Sequence, residues 1–223
     1  MADVKKRRSA APLLLGLLMA LSLSLGALAG TLWVMGTTAP LLEAGLSWEA
    51  APELTEADRA PVARLIADTM AGRERDFRYK GLFSEQARIH MADCAPLFRL
   101  ARAVGLAGFG LFFAALLGCL LLRDWRSSGR GMLIGAGIPL AILLALGLWG
   151  LMDFDSLFTA FHRAAFSNSL WLFPAEDLLI RLMPLSFFVG CAARAGGLWL
   201  ACTGALICLG ALLMKKHGKK TEA

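Results

Sequence analysis

Four stretches of the 223-residue chain carry no charged side chain: Ser9 to Leu42, Ala103 to Leu122, Gly131 to Met152 and Ala195 to Met214. Each reaches the ~20 residues that a helix rising 1.5 Å per residue needs to cross ~30 Å of hydrocarbon. Helices are the reasonable way to cross, because every backbone group must find its partner within the segment. The pattern predicts an all-α membrane protein, with four transmembrane helices and a small extracytoplasmic helical cap. Residues 1–36 form a basic tail and the first span, and residues 37–102 form the cap. The second span is 103–122, a cytoplasmic loop 123–130, and the third span 131–152. An extracytoplasmic loop fills 153–186, the fourth span 187–214, and a basic cytoplasmic tail 215–223. The start of the chain looks like a signal sequence, with Ala27, Leu28 and Ala29 before Gly30. The apolar run continues to Met35, longer than a signal core, so the first helix is expected to be retained.

Between the spans the polar positions predict shorter elements. A Pro/Ala/Glu-rich linker is expected from Ala39 to Glu56. Ala60 and Pro61 then suit the first turn of an amphipathic helix with Val62, Leu65, Ile66 and Met70 on one face, ending at Gly72. The charged run Arg73 to Lys80 reads as a solvated surface or headgroup contact. Ser84 can cap a further helix, with Glu85 favourably placed in its first turn. That helix carries Ile89, His90, Asp93, Cys94 and Leu97 towards the second span, and Pro96 is expected to interrupt or bend it. Neither a strand pattern nor a repeat is present.

Charge then orients the spans. The N-terminal tail has Lys5, Lys6, Arg7 and Arg8 against Asp3, the 123–130 connector three Arg against Asp124, and the C-terminal tail four Lys against Glu222. The long connectors have the opposite balance: eight basic and ten acidic residues from Thr37 to Arg99, and two against four from Asp153 to Ser186. Basic and acidic segments alternate, as four spans with both termini in the cytoplasm require. The net +6 and pI of about 9.4 sit in short ends, so they speak for membrane lipids as partners and against nucleic acid. His217 belongs to the tail and is assigned no function. Of five cysteines, only Cys94 lies in a polar setting, which excludes a disulfide framework.

The chemistry is concentrated between Phe158 and Phe188, where His162, Asn168, Trp171, Pro174, Glu176, Asp177 and Pro184 interrupt apolar sequence. His90 is the one other histidine outside the tail. It lies 12 residues before Arg102, and His162 lies 10 after Met152, so continuing helices put them ~18 and ~15 Å above the hydrocarbon. The two imidazoles can therefore meet at headgroup level as a general acid/base pair. Asp93, three residues on, shares a helical face with His90 and can fix its tautomer or simply face water. Cys94 could form a Cys–His pair, but no glycine-rich turn accompanies it. Metal-ligand spacing such as HExxH is absent, so neither metal nor other cofactor is expected. Gly105 to Gly110 lies inside a span and reads as helix packing. Arg102 and Arg194 end the second and fourth uncharged stretches and suit either a cationic rim binding lipid headgroups or snorkelling anchors.

The run Ser84 to Asp93 (SEQARIHMAD), followed by PheHis, PheSerAsnSerLeuTrpLeuPhePro and AspLeuLeuIle, resembles the bacterial lipoprotein intramolecular transacylases. The specific signal covers about 40 residues in two motifs. Ser169 and Phe173 depart from it, since aspartates are expected there, while both histidines stay in register. The resemblance implies an enzyme acting on a diacylglyceryl-modified bacterial lipoprotein. It would move one acyl chain from the glyceryl oxygen to the α-amine of the N-terminal cysteine, leaving the lyso form. His90 and His162 would be catalytic, with Asp93 orienting His90, Asn168 donating to the oxyanion, and Trp171 bracing acyl chains or anchoring at the interface. Glu85 would be a supporting residue. Another membrane acyl hydrolase, or a non-enzymatic maturation factor, remains compatible with the same residues.

Overall fold

A computed structural model describes residues 10–218, and the basic residues expected to orient both tails lie partly outside them. Among the described residues every regular element is helical. They are α1 (Ala11–Thr37), α2 (Ala39–Glu43), a 3-10 turn (Trp48–Ala50), α3 (Glu56–Met70), α4 (Glu85–Leu122), α5 (Trp125–Met152), α6 (Phe154–Ala165), α7 (Leu178–Leu182) and α8 (Leu185–Gly218). Four of them, α1, α4, α5 and α8, are long and apolar enough to cross a membrane. Their outward faces carry Leu106, Phe113, Leu121, Leu144, Leu148 and Leu212, all largely exposed. A water-soluble surface would not concentrate large apolar side chains in this way, so these faces are read as lipid-facing.

The chain divides into two compact units. One comprises residues 1–27, 106–145 and 199–223. Small residues let its helix backbones touch, as membrane packing without a hydrophobic drive requires. A Cβ on Gly16 would lie 2.0 Å from the Ser128 carbonyl oxygen, one on Gly131 2.0 Å from that of Leu13, and one on Gly108 2.7 Å from the Gly26 Cα. Trp199 Nε1 donates to the buried Ser24 Oγ at 2.7 Å. Met19, Ala20, Ala115, Met132, Ala136 and Leu206 fill the space between.

The second unit, residues 28–105 and 146–198, holds the polar chemistry. Its core joins Leu42 and Leu46, the inner face of α3 (Val62, Ala63, Ile66, Met70), Phe77 and Phe83, the start of α4 (Ala87, Met91), and α7 (Leu178, Leu179, Leu182). A Cβ on Gly105 would lie 3.2 Å from the Gly30 Cα and N, so Gly105 and Gly108 serve close helix packing, as expected, whereas Gly110 has open space around it.

Several boundaries differ from the sequence reading. The helix α3 begins at Glu56, not at Pro61, because Thr55 and Asp58 form a reciprocal capping box that satisfies two end donors. Its end is as expected, with Gly72 at φ +73° following the last turn. The 39–56 linker is ordered as α2 and a 3-10 turn, pinned by buried Leu42, Leu46 and Ala51. The run Arg73 to Lys80 is not simply solvated: Phe77 is buried, and Tyr79 Oη and Lys80 Nζ donate to buried Asp58 at 2.5 and 2.6 Å. Lys80 first, then Tyr79 and Thr55, hold that carboxyl below the usual carboxylate range. Its contribution is therefore present at neutral pH and lost only as pH falls below ~4. The helix α4 continues through Pro96, and the expected 123–130 loop shrinks to two residues. Asp124 caps α5, accepting from Ser127 N and Oγ at 3.1 and 2.8 Å.

Candidate active site

The site is built within the second unit from the N-terminal part of α4, the amphipathic α6, and the loop joining α6 to α7. The 38 residues of α4 span ~57 Å, almost twice the hydrocarbon thickness. Its first turns, with His90, therefore stand clear of the uncharged stretch that crosses the membrane. Asp153 starts α6 by accepting from Ser156 N at 3.0 Å. The 3.6-residue period then puts Phe154, Leu157, Phe158 and Phe161 along one side and Asp155, Thr159, His162 and Arg163 on others.

The rings of His90 and His162 stack with centroids 6.3 Å apart and 26° between planes. Aromatic residues surround them. Phe166 lies 5.1 Å from His90 and 5.6 Å from His162, Phe173 meets His90 edge-on at 5.4 Å, and Trp171 lies 5.0 Å from His162. His162 Nδ1 is 2.8 Å from the carbonyl oxygen of Phe158. Since a carbonyl only accepts, Nδ1 must carry the proton and Nε2 keeps a lone pair. His90 Nε2 is 3.5 Å from Cys94 Sγ, whereas its buried Nδ1 has no partner among the described residues. Burial drives His90 down to about 4, His162 adding to the shift and Asp93 opposing it. Burial likewise lowers His162, against the Phe158 hydrogen bond. Both rings are thus neutral at neutral pH, the form a general base needs. Burial pushes the Cys94 thiol up to about 12, which disfavours the thiolate a cysteine nucleophile would require.

Asp93 does not hydrogen-bond His90. It accepts from Asn168 Nδ2 at 2.8 Å. Asn168 then organises its own loop, its Oδ1 accepting from Leu170 N at 3.0 Å and its carbonyl from Trp171 Nε1 at 2.9 Å. One further N–H of the Asn168 amide remains for a ligand. Gln86, which the sequence reading passed over, supplies a second tie: its Nε2 donates to the carbonyls of Leu170 and Leu172 at 3.0 and 2.8 Å. These two acceptors bracket Trp171, the residue packed against His162. The sequence signal for Gln86 is its position four before His90, one helical turn away.

The remaining sequence candidates lie around this centre. Ser84 caps α4 through Ala87 N at 3.1 Å and donates to Asp177 at 2.6 Å. Asp177 in turn caps α7 through Leu179 N at 2.9 Å, and Glu176 holds Arg181 through its carbonyl. Glu85 pairs with Arg88, which also reaches Asp76, so it supports the start of α4 and does not bond either histidine. Arg102 sits over the Trp33 ring at 5.5 Å, and Arg194 is exposed on α8. Among the described residues no three His, Cys, Asp or Glu side chains are grouped to hold a metal.

Known proteins resemble this chain. The family model for lipoprotein intramolecular transacylases matches residues 17–188. A structure of the membrane-integral lipoprotein intramolecular transacylase from Bacillus cereus superposes with a TM-score of 0.73 at 20% identity, covering 92% of this chain and 97% of that one. Two further structures of the Bacillus cereus protein, in which one histidine is replaced by arginine or by alanine, give TM-scores of 0.70 and 0.69 at 19% and 20% identity. They cover 93% and 92% of this chain, and 93% and 94% of the other. Among curated protein sequences, none matches.

Proposed function

The chain belongs to the lipoprotein intramolecular transacylase family, and we propose that His90 and His162 are the acid–base pair with which it moves the acyl chain. The reaction takes one acyl group from the S-diacylglyceryl substituent to the α-amine of the same N-terminal cysteine, leaving a lyso-form lipoprotein. A C–N bond forms, the ester C–O bond breaks, and one amine proton ends on the glyceryl oxygen. Donor and acceptor are tethered in one molecule, so holding them in attack geometry removes much of the barrier. What remains is proton transfer, which needs no metal.

The observation that carries this reading is the stacked histidine pair at 6.3 Å in an aromatic surround. His162, with Nε2 free, receives the amine proton, and His90 faces the departing oxygen. The spare N–H of Asn168 is the oxyanion donor, Trp171 closes the site over His162, and Arg102 and Arg194 form its lipid-facing rim. Mass spectrometry of a lipoprotein N-terminus from cells with and without the protein tests the function. N-acyl, S-monoacylglyceryl cysteine is expected only with it. Free fatty acid without N-acylation would mean a hydrolase, and an unchanged terminus a non-enzymatic factor.

The alternating charge of the connectors supports a bacterial inner-membrane protein with both termini cytoplasmic and the site outside. A cysteine placed at exposed Ala57 or Ala175 is then expected to react with membrane-impermeant reagents in intact cells. One at Ser127 should react only after permeabilisation. Labelling of Ser127→Cys from outside would reverse the orientation.

A further inference from the structure

A cleft of about 490 Å³ is lined by Thr159, Arg163, Phe166, Ser167, Asn168, Ser169, Trp171 and Leu172. We infer that this cleft is the subsite for the polypeptide that follows the lipid-modified cysteine. The inference rests on the transacylase reading above and extends it to the half of the substrate that undergoes no chemistry.

Connectivity comes first. The α-amine that accepts the acyl chain is separated from the first peptide carbonyl by a single carbon atom. A chain whose amine is at the histidine pair must therefore leave through a neighbouring space. The cleft shares two walls with the pair, since Phe166 and Trp171 also pack on His162 at 5.6 and 5.0 Å. The lining chemistry also fits. The Arg163 guanidinium and the hydroxyls of Thr159, Ser167 and Ser169 have no side-chain hydrogen-bond partner among the described residues, and Arg163 is the one charged group in the lining. A row of donors suits a ligand made of carbonyl acceptors every ~3.3–3.6 Å. An acyl chain would cover Phe166, Trp171 and Leu172 but would leave the open donors desolvated without replacement, which a peptide would not.

The test uses the purified full-length protein and two substrates. One is diacylglyceryl-cysteine followed by four neutral residues, and the other is diacylglyceryl-cysteine N-methylamide. Arg163→Gln is expected to raise KM for the lipopeptide about tenfold, the loss of a charge-assisted hydrogen bond. KM for the amide should move less than twofold. The pair Ser167→Ala with Ser169→Ala should act in the same sense, and Arg163→Lys should restore part of the loss. An equal change in KM for both substrates would overturn the inference, because the arginine would then serve a lipid headgroup or the fold. No change for either would overturn it too. If the unaltered protein acylates neither substrate, the transacylase reading itself fails, an outcome distinct from either of these.

Discussion

His162→Ala and His90→Ala are each expected to lower acyl transfer by ~10²–10⁴-fold, the usual loss when general acid–base assistance is removed. Membrane insertion and accumulation should be unaffected, since both rings are only partly buried and neither is in a main core cluster. The two singles are not expected to multiply. With the rings 6.3 Å apart and one proton to move from nitrogen to oxygen, a pair that works as proposed acts as a unit, so the double variant should be little slower than the worse single. His162→Ala should be the more severe, because the Phe158 carbonyl fixes its tautomer and leaves Nε2 as a committed base. Turnover measured on a diacylglyceryl lipopeptide checks this. Full activity in either single variant removes the pair from the mechanism.

The next largest effect belongs to the contact between α4 and the loop. Asp93→Ala should slow transfer by up to ~10²-fold, the cost of a misplacement of about 1 Å at a reacting centre. The carboxylate orders Asn168, whose carbonyl holds the indole of Trp171 against His162. Asn168→Ala should cost at least as much, because it removes the same contact together with the proposed oxyanion donor. A double-mutant cycle separates this from two independent roles. Neighbours in one network couple, so Asp93→Ala should add little on top of Asn168→Ala. Fully additive losses would mean that Asp93 acts on His90 directly and not through the loop.

How much of this was legible follows from where each signal resides. The spans were readable because hydrocarbon thickness sets a length that the uncharged runs must meet, and all four helices are present. Ser84 as a cap and Gly72 as a stop were readable because capping depends on one residue type at one position. The start of α3 was misplaced because Pro61 is a strong local cue, while the Thr55–Asp58 box depends on two weaker ones in register. The α5 boundary was missed for a related reason: Arg126 and Arg130 read as loop, although Asp124 and Ser127 cap a helix beneath them.

In the site, similar heights for the two histidines were expected from both spans continuing as helices. The helix α4 does continue, but α5 ends at Met152 and His162 stands on a separate helix begun by Asp153, so the meeting of the rings depends on tertiary packing. Their partners were not readable from spacing. Asp93 lies 75 residues from Asn168 and Gln86 84 from Leu170, and such pairings depend on the packing of α4 against the loop. The ordering of Arg73 to Lys80 was hidden likewise, since its charge answers Asp58 more than 20 residues away.

The most direct test of the central claim is a crossover measurement with the purified protein. Two diacylglyceryl lipopeptides of different peptide mass, one with deuterated acyl chains and one without, are incubated together and their N-termini sequenced by mass spectrometry. Transfer within one molecule, driven by the histidine pair, is expected to leave every N-acyl chain on the peptide that brought it, with no free fatty acid, and to be lost in the His162→Ala protein. Deuterated chains on the light peptide, release of fatty acid, or undiminished transfer in His162→Ala would contradict the account.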